Sequence, residues 1–429
     1  AESPEVSLEE AVVKGLASDN GLFMPLSFPL LTKDFIKRLP YMTLSEMAVE
    51  VAEALFGEDI DKDELRRITE ETLNFPVPLK KVKDNIYSLE LFHGPTLAFK
   101  DVGARFMARL LGYFNKNNND RTVNVLVATS GDTGSAVANG FLGVAGVRVF
   151  VLYPKGKVSR IQEAQFTTLG KNITAIEIDG TFDDCQALVK KAFLDQQLNE
   201  KMMLTSANSI NVARFLPQMF YYFHAYARAV AAGAEPDNVV FCVPSGNFGN
   251  ITAGLIAKRM GLPVKRFIAA NNANDVFLHY LVSGNYEPKP SVQTIANAMD
   301  VGNPSNFARV LDLYGKSHSA ISKDISGVSY SDSQISDTLA QIWKENGYLL
   351  DPHGAVACRA LLELLHPYET GIFLETAHPA KFKETVEAIT KEEVIIPERL
   401  ETFLNEKKQS VPLPADFNRF KDFLLSSDK

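Results

Sequence analysis

Seven short apolar runs, most of them separated by helical patterns, limit the fold more than any other feature of this sequence. They fall at 86–91, 123–128, 147–153, 173–178, 239–243, 267–270 and 372–374. Helical spacing recurs between them, as at 101–114 and 183–194. Strand, loop and helix in repetition predict an α/β protein with a parallel sheet covered on both faces. Such sheets bind ligands beyond the carboxyl ends of their strands, in the loops that open the helices, so chemistry is expected there. The first ~75 residues differ and read as a helical layer. Ser7 with Glu10, Thr43 with Glu46 and Asp61 with Glu64 have capping-box spacing. Leu44, Met47, Val51, Ala54 and Leu55 form an apolar stripe that Gly57 can end. Phe75-Pro76-Val77-Pro78 breaks the pattern and sets a boundary. Asn117-Asn118-Asn119-Asp120 reads as a surface turn.

Composition removes several function classes. Lys plus Arg number 44 against 52 Asp plus Glu, a net charge of −8, which argues against nucleic acid or an anionic membrane as main partner. Three scattered cysteines offer no C-x-x-C pair, and the seven histidines no H-E-x-x-H, so neither disulfides nor zinc is expected. No apolar run approaches a membrane span, and the acidic start lacks the basic region of a signal peptide. A cytoplasmic protein is expected.

The loops after the strands carry the candidate chemistry. Pro244-Ser245-Gly246-Asn247-Phe248-Gly249-Asn250 lies between a strand and a helical run over 251–260, and its glycines can turn consecutive N–H groups toward an anion. It is neither a P-loop nor the dinucleotide fingerprint. Its plainer reading is a turn that needs glycine. Ala128-Thr129-Ser130-Gly131-Asp132-Thr133-Gly134 offers hydroxyls and N–H groups to a carboxylate or second phosphate, although Asp132 alone reads as a helix cap. In His93-Gly94-Pro95-Thr96-Leu97-Ala98-Phe99-Lys100-Asp101, Lys100 stands at a helix start, where the dipole lowers an amine pKa as a nucleophile requires. Ser206 to Arg214 could hold a substrate anion, or be a capped helix with an exposed arginine. Thr376 ends a strand, and Pro379 suits the first turn after it. Two anion-ready helix starts, a poised lysine and a strand-end hydroxyl together point to pyridoxal 5'-phosphate.

These motifs resemble the threonine synthase family, within the tryptophan-synthase-β-like, fold-type II pyridoxal-phosphate enzymes. The likeness runs through Leu91–Asp101, 128–134, 206–214, 244–249 and 376–382, with Asn20-Gly21-Leu22-Phe23-Met24-Pro25 ahead of them. The chain begins Ala1-Glu2-Ser3-Pro4, without the short tyrosine-containing opening common in that family, and a few further N-terminal residues are expected. The resemblance implies two doubly wound sheet lobes with an added helical layer: 1–78 helical, 79–98 with 215–400 a large cofactor domain, 99–214 a small domain, and 401–429 a helical segment. It implies that O-phospho-L-homoserine and water become L-threonine and phosphate. Lys100 would bond the cofactor aldehyde and shuttle protons. Ser245, Gly246, Asn247, Phe248 and Gly249 would cradle the cofactor phosphate, and Thr376 would meet the pyridine nitrogen. Thr129, Ser130 and Thr133 would take the substrate carboxylate, and Asn208, Ser209 and Arg214 its phosphate. Many fold-type II relatives have asparagine facing the ring oxygen where this chain has Asp132. The implied partner is a small molecule, with a monomer or homodimer expected and no metal. Rival readings are a fold-type II dehydratase or cysteine synthase, a nicotinamide-dependent oxidoreductase and a non-catalytic anion-binding protein.

Overall fold

A computed structural model describes residues 3–116 and 122–427; the turn expected at 117–120 lies outside them. The chain forms two compact units, one of Ala1–Phe23, Lys100–Arg214 and Ile396–Lys429, the other of Met24–Phe99 and Phe215–Ile395.

The first unit holds a five-stranded, wholly parallel sheet in the order β11-β5-β4-β3-β6. Its strands are β3 (Val123–Ala128), β4 (Val147–Pro154), β5 (Ile173–Asp179), β6 (Met203–Ser206) and β11 (Val411–Pro414). Helices Asp132–Phe141, Arg160–Thr167 and Phe182–Leu194 connect successive strands. Strands buried on both faces need no polar alternation, and every residue of β3 is buried. One core cluster joins Leu126, Phe150, Leu152 and Ile176 to Leu188 and to Phe420 and Leu424 of the last helix, Phe417–Ser426.

The second unit holds a six-stranded sheet ordered β1-β2-β10-β7-β8-β9. Its strands are β1 (Leu79–Lys83), β2 (Ile86–Glu90), β7 (Val239–Pro244), β8 (Arg266–Asn271), β9 (Ile325–Ser329) and β10 (Thr370–Glu375). Only β1 runs antiparallel, through a short reversal into β2. β10 lies between β2 and β7, which brings the loops after all three strands to one edge of the sheet.

The helix starts read from spacing are present. Thr43 and Glu46 form a reciprocal capping box on Leu44–Phe56. Ser7 Oγ accepts from the Glu10 N–H, and Asp61 from the N–H groups of Asp63 and Glu64. The apolar stripe on Leu44–Phe56 differs from expectation: the buried face is Met47, Ala48, Val49, Val51, Ala52 and Phe56, while Ala54 is exposed.

Candidate active site

In the first unit, Lys100 is the N-cap of the helix Asp101–Asn115 and has no side-chain capping bond. Its main-chain oxygen accepts from Ala104 N at 3.1 Å and from a guanidinium N–H of Arg214 at 3.2 Å. Arg214 also donates through Nε to Ala207 O at 2.7 Å and is 3% exposed. Burial lowers its pKa to about 10, with nearby Asp101 opposing the shift, so it stays charged near neutral pH. Gly103 makes this approach possible, because a Cβ there would lie 2.1 Å from Arg214 O. The arginine that could have been exposed is therefore an internal strut at the lysine's helix.

The loop after β3 is built around Thr129. Its Oγ1 accepts from Gly131 N at 2.9 Å and Gly134 N at 2.8 Å. Asp132 opens the helix Asp132–Phe141, and its Oδ1 accepts from Gln162 Nε2 at 3.0 Å. Ser130 and Thr133 are partly exposed in the same loop. Asn208 donates to Ala128 O at 3.1 Å, which ties the segment 206–214 to this loop. Asn208 and Ser209 are both half-buried. Segments near 100, 129 and 208, distant in sequence, thus meet within one unit.

In the second unit, β7 leads into the loop 245–249. Ser245 Oγ donates to Val243 O, and Asn271 Nδ2 donates to Ser245 O. Asn306 donates twice to Asn247 O, through its N–H at 3.1 Å and Nδ2 at 3.0 Å. Phe248 takes a left-handed conformation, φ 64°, at the N-cap of the helix Gly249–Arg259. Such a bulky residue adopts it only under constraint, as at ligand sites. Among the described residues, the N–H groups of Gly246, Asn247, Phe248 and Gly249 meet no protein acceptor. Four consecutive donors at the positive end of a helix fit a phosphate dianion.

β10 ends at Glu375, and Thr376 follows, 6% exposed. Thr376 O accepts from Phe99 N at 2.8 Å. Phe99 immediately precedes Lys100, and Leu97 two residues earlier is left-handed at φ 56°. Among the described residues the Thr376 hydroxyl has no protein partner, which leaves it available to a ring nitrogen. Sequence reasoning missed a group of polar residues at the ends of β2 and β10: Glu90, Asp351 and His353, which are buried, and Tyr348, which is half-buried. Their signal was an acid ending the apolar run at 86–91 and the start Asp351-Pro352-His353-Gly354. No helix among the described residues is long and apolar enough to cross a membrane, and no three His, Cys, Asp or Glu gather there as metal ligands.

These features define a fold-type II pyridoxal-phosphate-dependent enzyme, and comparison agrees. The family model described as pyridoxal-phosphate dependent enzyme matches residues 71–372. Models for the threonine synthase N terminus and C-terminal region match 1–73 and 354–424. The chain belongs to the threonine synthase family. It is 47% identical to the Haemophilus influenzae threonine synthase over 99% of this chain and 97% of that one. The crystal structure of the Escherichia coli enzyme aligns at TM-score 0.92 and 44% identity, covering 98% of this chain and 97% of that one. A pyridoxal-phosphate-bound threonine synthase from Brucella melitensis aligns at 0.93 and 35% identity, covering 100% and 98%.

Proposed function

We propose that this chain converts O-phospho-L-homoserine and water to L-threonine and phosphate. The observation that carries the reading is that a chain of this family over its whole length has a helix-capping lysine and an anion-ready loop in one unit, and a second such loop and a strand-end hydroxyl in the other. Pyridoxal phosphate, when bound, supplies an electron sink for the bonds at the substrate's Cα.

The chain's own residues do the rest. Ser245 to Gly249 would hold the cofactor phosphate by main-chain N–H groups, and Thr376 would hold the pyridine nitrogen. A hydroxyl there does not enforce a ring proton as a carboxylate would. Lys100 would bond the cofactor aldehyde in the resting enzyme and, as a free amine, would remove the Cα proton, take one from Cβ and return protons to Cγ and Cα. Thr129, Ser130 and Thr133 orient the substrate carboxylate. Thr129 Oγ1 already accepts two N–H groups, so its own O–H is the donor that remains for an anion. Asn208, Ser209 and Arg214 meet the substrate phosphate, where the buried charge of Arg214 favours the leaving dianion. Asp132, held by Gln162, would face the cofactor ring oxygen. The division at 78, 98, 214 and 400, a cytoplasmic setting and a monomer or homodimer complete the reading.

The test is phosphate release and amino-acid product assayed side by side with phosphohomoserine, homoserine, serine and threonine. Threonine formed from phosphohomoserine alone supports the reading. Deamination of serine or threonine as the main activity would overturn it in favour of a dehydratase.

A further inference from the structure

In the second unit, residues 294–301 lie against the anion-ready loop that follows β7, with a single 3₁₀ turn at Asn297–Met299. The contact is close. A Cβ at Gly246 would stand 2.9 Å from Ala298 O and 3.0 Å from the Met299 Cα, so glycine is what lets the two backbones meet. Both ends of the segment are tied to the loop after β8. Asp300 Oδ1 accepts from Asn272 Nδ2 and Asn274 Nδ2, at 2.8 and 3.2 Å, and from the Thr294 hydroxyl at 2.7 Å. Its Oδ2 accepts from Thr294 N at 3.0 Å.

The middle of the segment is tied to the helix Pro352–Leu364 through His353, whose Nε2 accepts from Ala298 N at 3.1 Å. A main-chain N–H can only donate, so Nε2 carries the lone pair and Nδ1 the hydrogen. Nδ1 lies 2.5 Å from Asp351 Oδ1, the acceptor that this tautomer requires. Asp351 is itself fixed. It caps the helix by accepting from the N–H groups of His353 and Gly354, and its own N–H donates to Glu375 Oε1, at the end of β10, over 2.6 Å. His353 and Asp351 are 2% and 0% exposed, and the imidazole packs on Phe382, ring centres 4.9 Å apart. Burying two polar side chains costs stability that an apolar pair would not. Helix capping accounts for the aspartate. It does not account for an imidazole whose far nitrogen reaches the backbone of another segment.

We propose that His353, its tautomer set by Asp351, is a positioning residue for the cofactor phosphate. Through the Ala298 peptide it holds the segment on which Gly246 rests, and so preorders the loop 246–249 whose N–H groups would meet the anion. Donors already in place bind more tightly than donors that must first be ordered. The inference rests on the phosphate site proposed above and deepens it.

The experiment titrates the cofactor-free full-length chain with pyridoxal 5'-phosphate and with pyridoxal, which lacks the phosphate, following cofactor absorbance. It compares wild type with His353→Gln, His353→Asn and His353→Phe. The glutamine amide extends about as far as Nε2 and can keep the Ala298 bond through Oε1, whereas the asparagine amide extends only about as far as Nδ1 and keeps Asp351 alone. His353→Gln should bind pyridoxal 5'-phosphate within about threefold of wild type, and His353→Asn and His353→Phe about tenfold or more weakly, the worth of one hydrogen bond. Affinity for pyridoxal should be the same in all four proteins. In the cofactor-free wild type, ¹⁵N NMR of the imidazoles should find His353 protonated at Nδ1. Equal affinities of all four proteins for pyridoxal 5'-phosphate, a like loss in His353→Gln and His353→Asn, a matching loss for pyridoxal, or a wild-type His353 protonated at Nε2 overturns the inference and leaves the phosphate site standing. A wild-type protein that binds pyridoxal 5'-phosphate no better than pyridoxal overturns both.

Discussion

The guanidinium of Arg214 donates to the main-chain oxygen of Lys100 over 3.2 Å, so the proposed phosphate ligand also fixes the start of the helix that carries the proposed nucleophile. Removing that side chain leaves the buried carbonyl of Ala207 without its charged donor, while the half-buried carbonyl of Lys100 keeps the Ala104 N–H. Arg214→Ala should therefore cost roughly 1–3 kcal/mol, from the abandoned Ala207 carbonyl. Arg214→Lys should recover only part, because one ammonium cannot reproduce the fork. Urea unfolding of the three proteins measures this, and coincident midpoints would contradict it. In whatever Arg214→Ala protein folds, KM for phosphohomoserine should rise more than cofactor retention falls.

Lys100→Ala should abolish turnover and the borohydride-stable cofactor adduct together. Peptide mapping of the reduced wild-type holoprotein should find the adduct on the Ala98-Phe99-Lys100-Asp101 peptide. An adduct on another lysine would remove Lys100 from its assigned role.

Two glycines of the helix Asp101–Asn115 should respond with opposite signs. A Cβ at Gly112 would meet only Val144, at an ordinary 3.6 Å. Gly112→Ala should then stabilise by roughly 0.5–1 kcal/mol through helix propensity alone. Gly103→Ala should destabilise instead, because its Cβ would strike the main chain of Arg214. Thermal melts of the two variants decide it, and the same sign for both would refute the packing argument.

Acid stability should depend on Glu369. Burial alone would raise this carboxyl, but the bonds from Arg266, at 2.7 and 3.2 Å, the His366 N–H and Lys265 hold it down at about 2, against an ordinary 4.5. Because the folded value lies below the unfolded one, the stabilisation is full above pH 4.5 and is lost as pH falls toward 2. The shift corresponds to roughly 3 kcal/mol. Arg266→Met should remove most of that pH dependence. Unfolding free energies of both proteins between pH 6 and 2 test it, and parallel curves would refute it.

The seven strands legible in the sequence are β2, β3, β4, β5, β7, β8 and β10, all of them interior to a sheet, and the four missed are the sheet edges. Interior strands are buried on both faces and read as unbroken apolar runs. The edges do not. β1 is Leu79-Lys-Lys-Val-Lys83, β9 carries Gly327, β6 has four residues, and β11 alternates with proline. The candidate site divides in the same way. Its loops could be read because glycine and hydroxyl residues cluster locally after strands. The Glu90 and Tyr348 pair could not, since register and burial bring its members together from positions 258 apart.

Strand β11 carries a consequence for how this protein meets other copies of itself. Its residues 411–414 pair in parallel with β5. A pairing strand must donate N–H groups, and prolines have none, so Val411 and Leu413 face β5 while Pro412 and Pro414 face outward. The outer margin of that sheet offers a newcomer no donors, and the chain thereby closes its own template against stacking. Without this short segment, β5 would become a bare margin open to edge-to-edge aggregation.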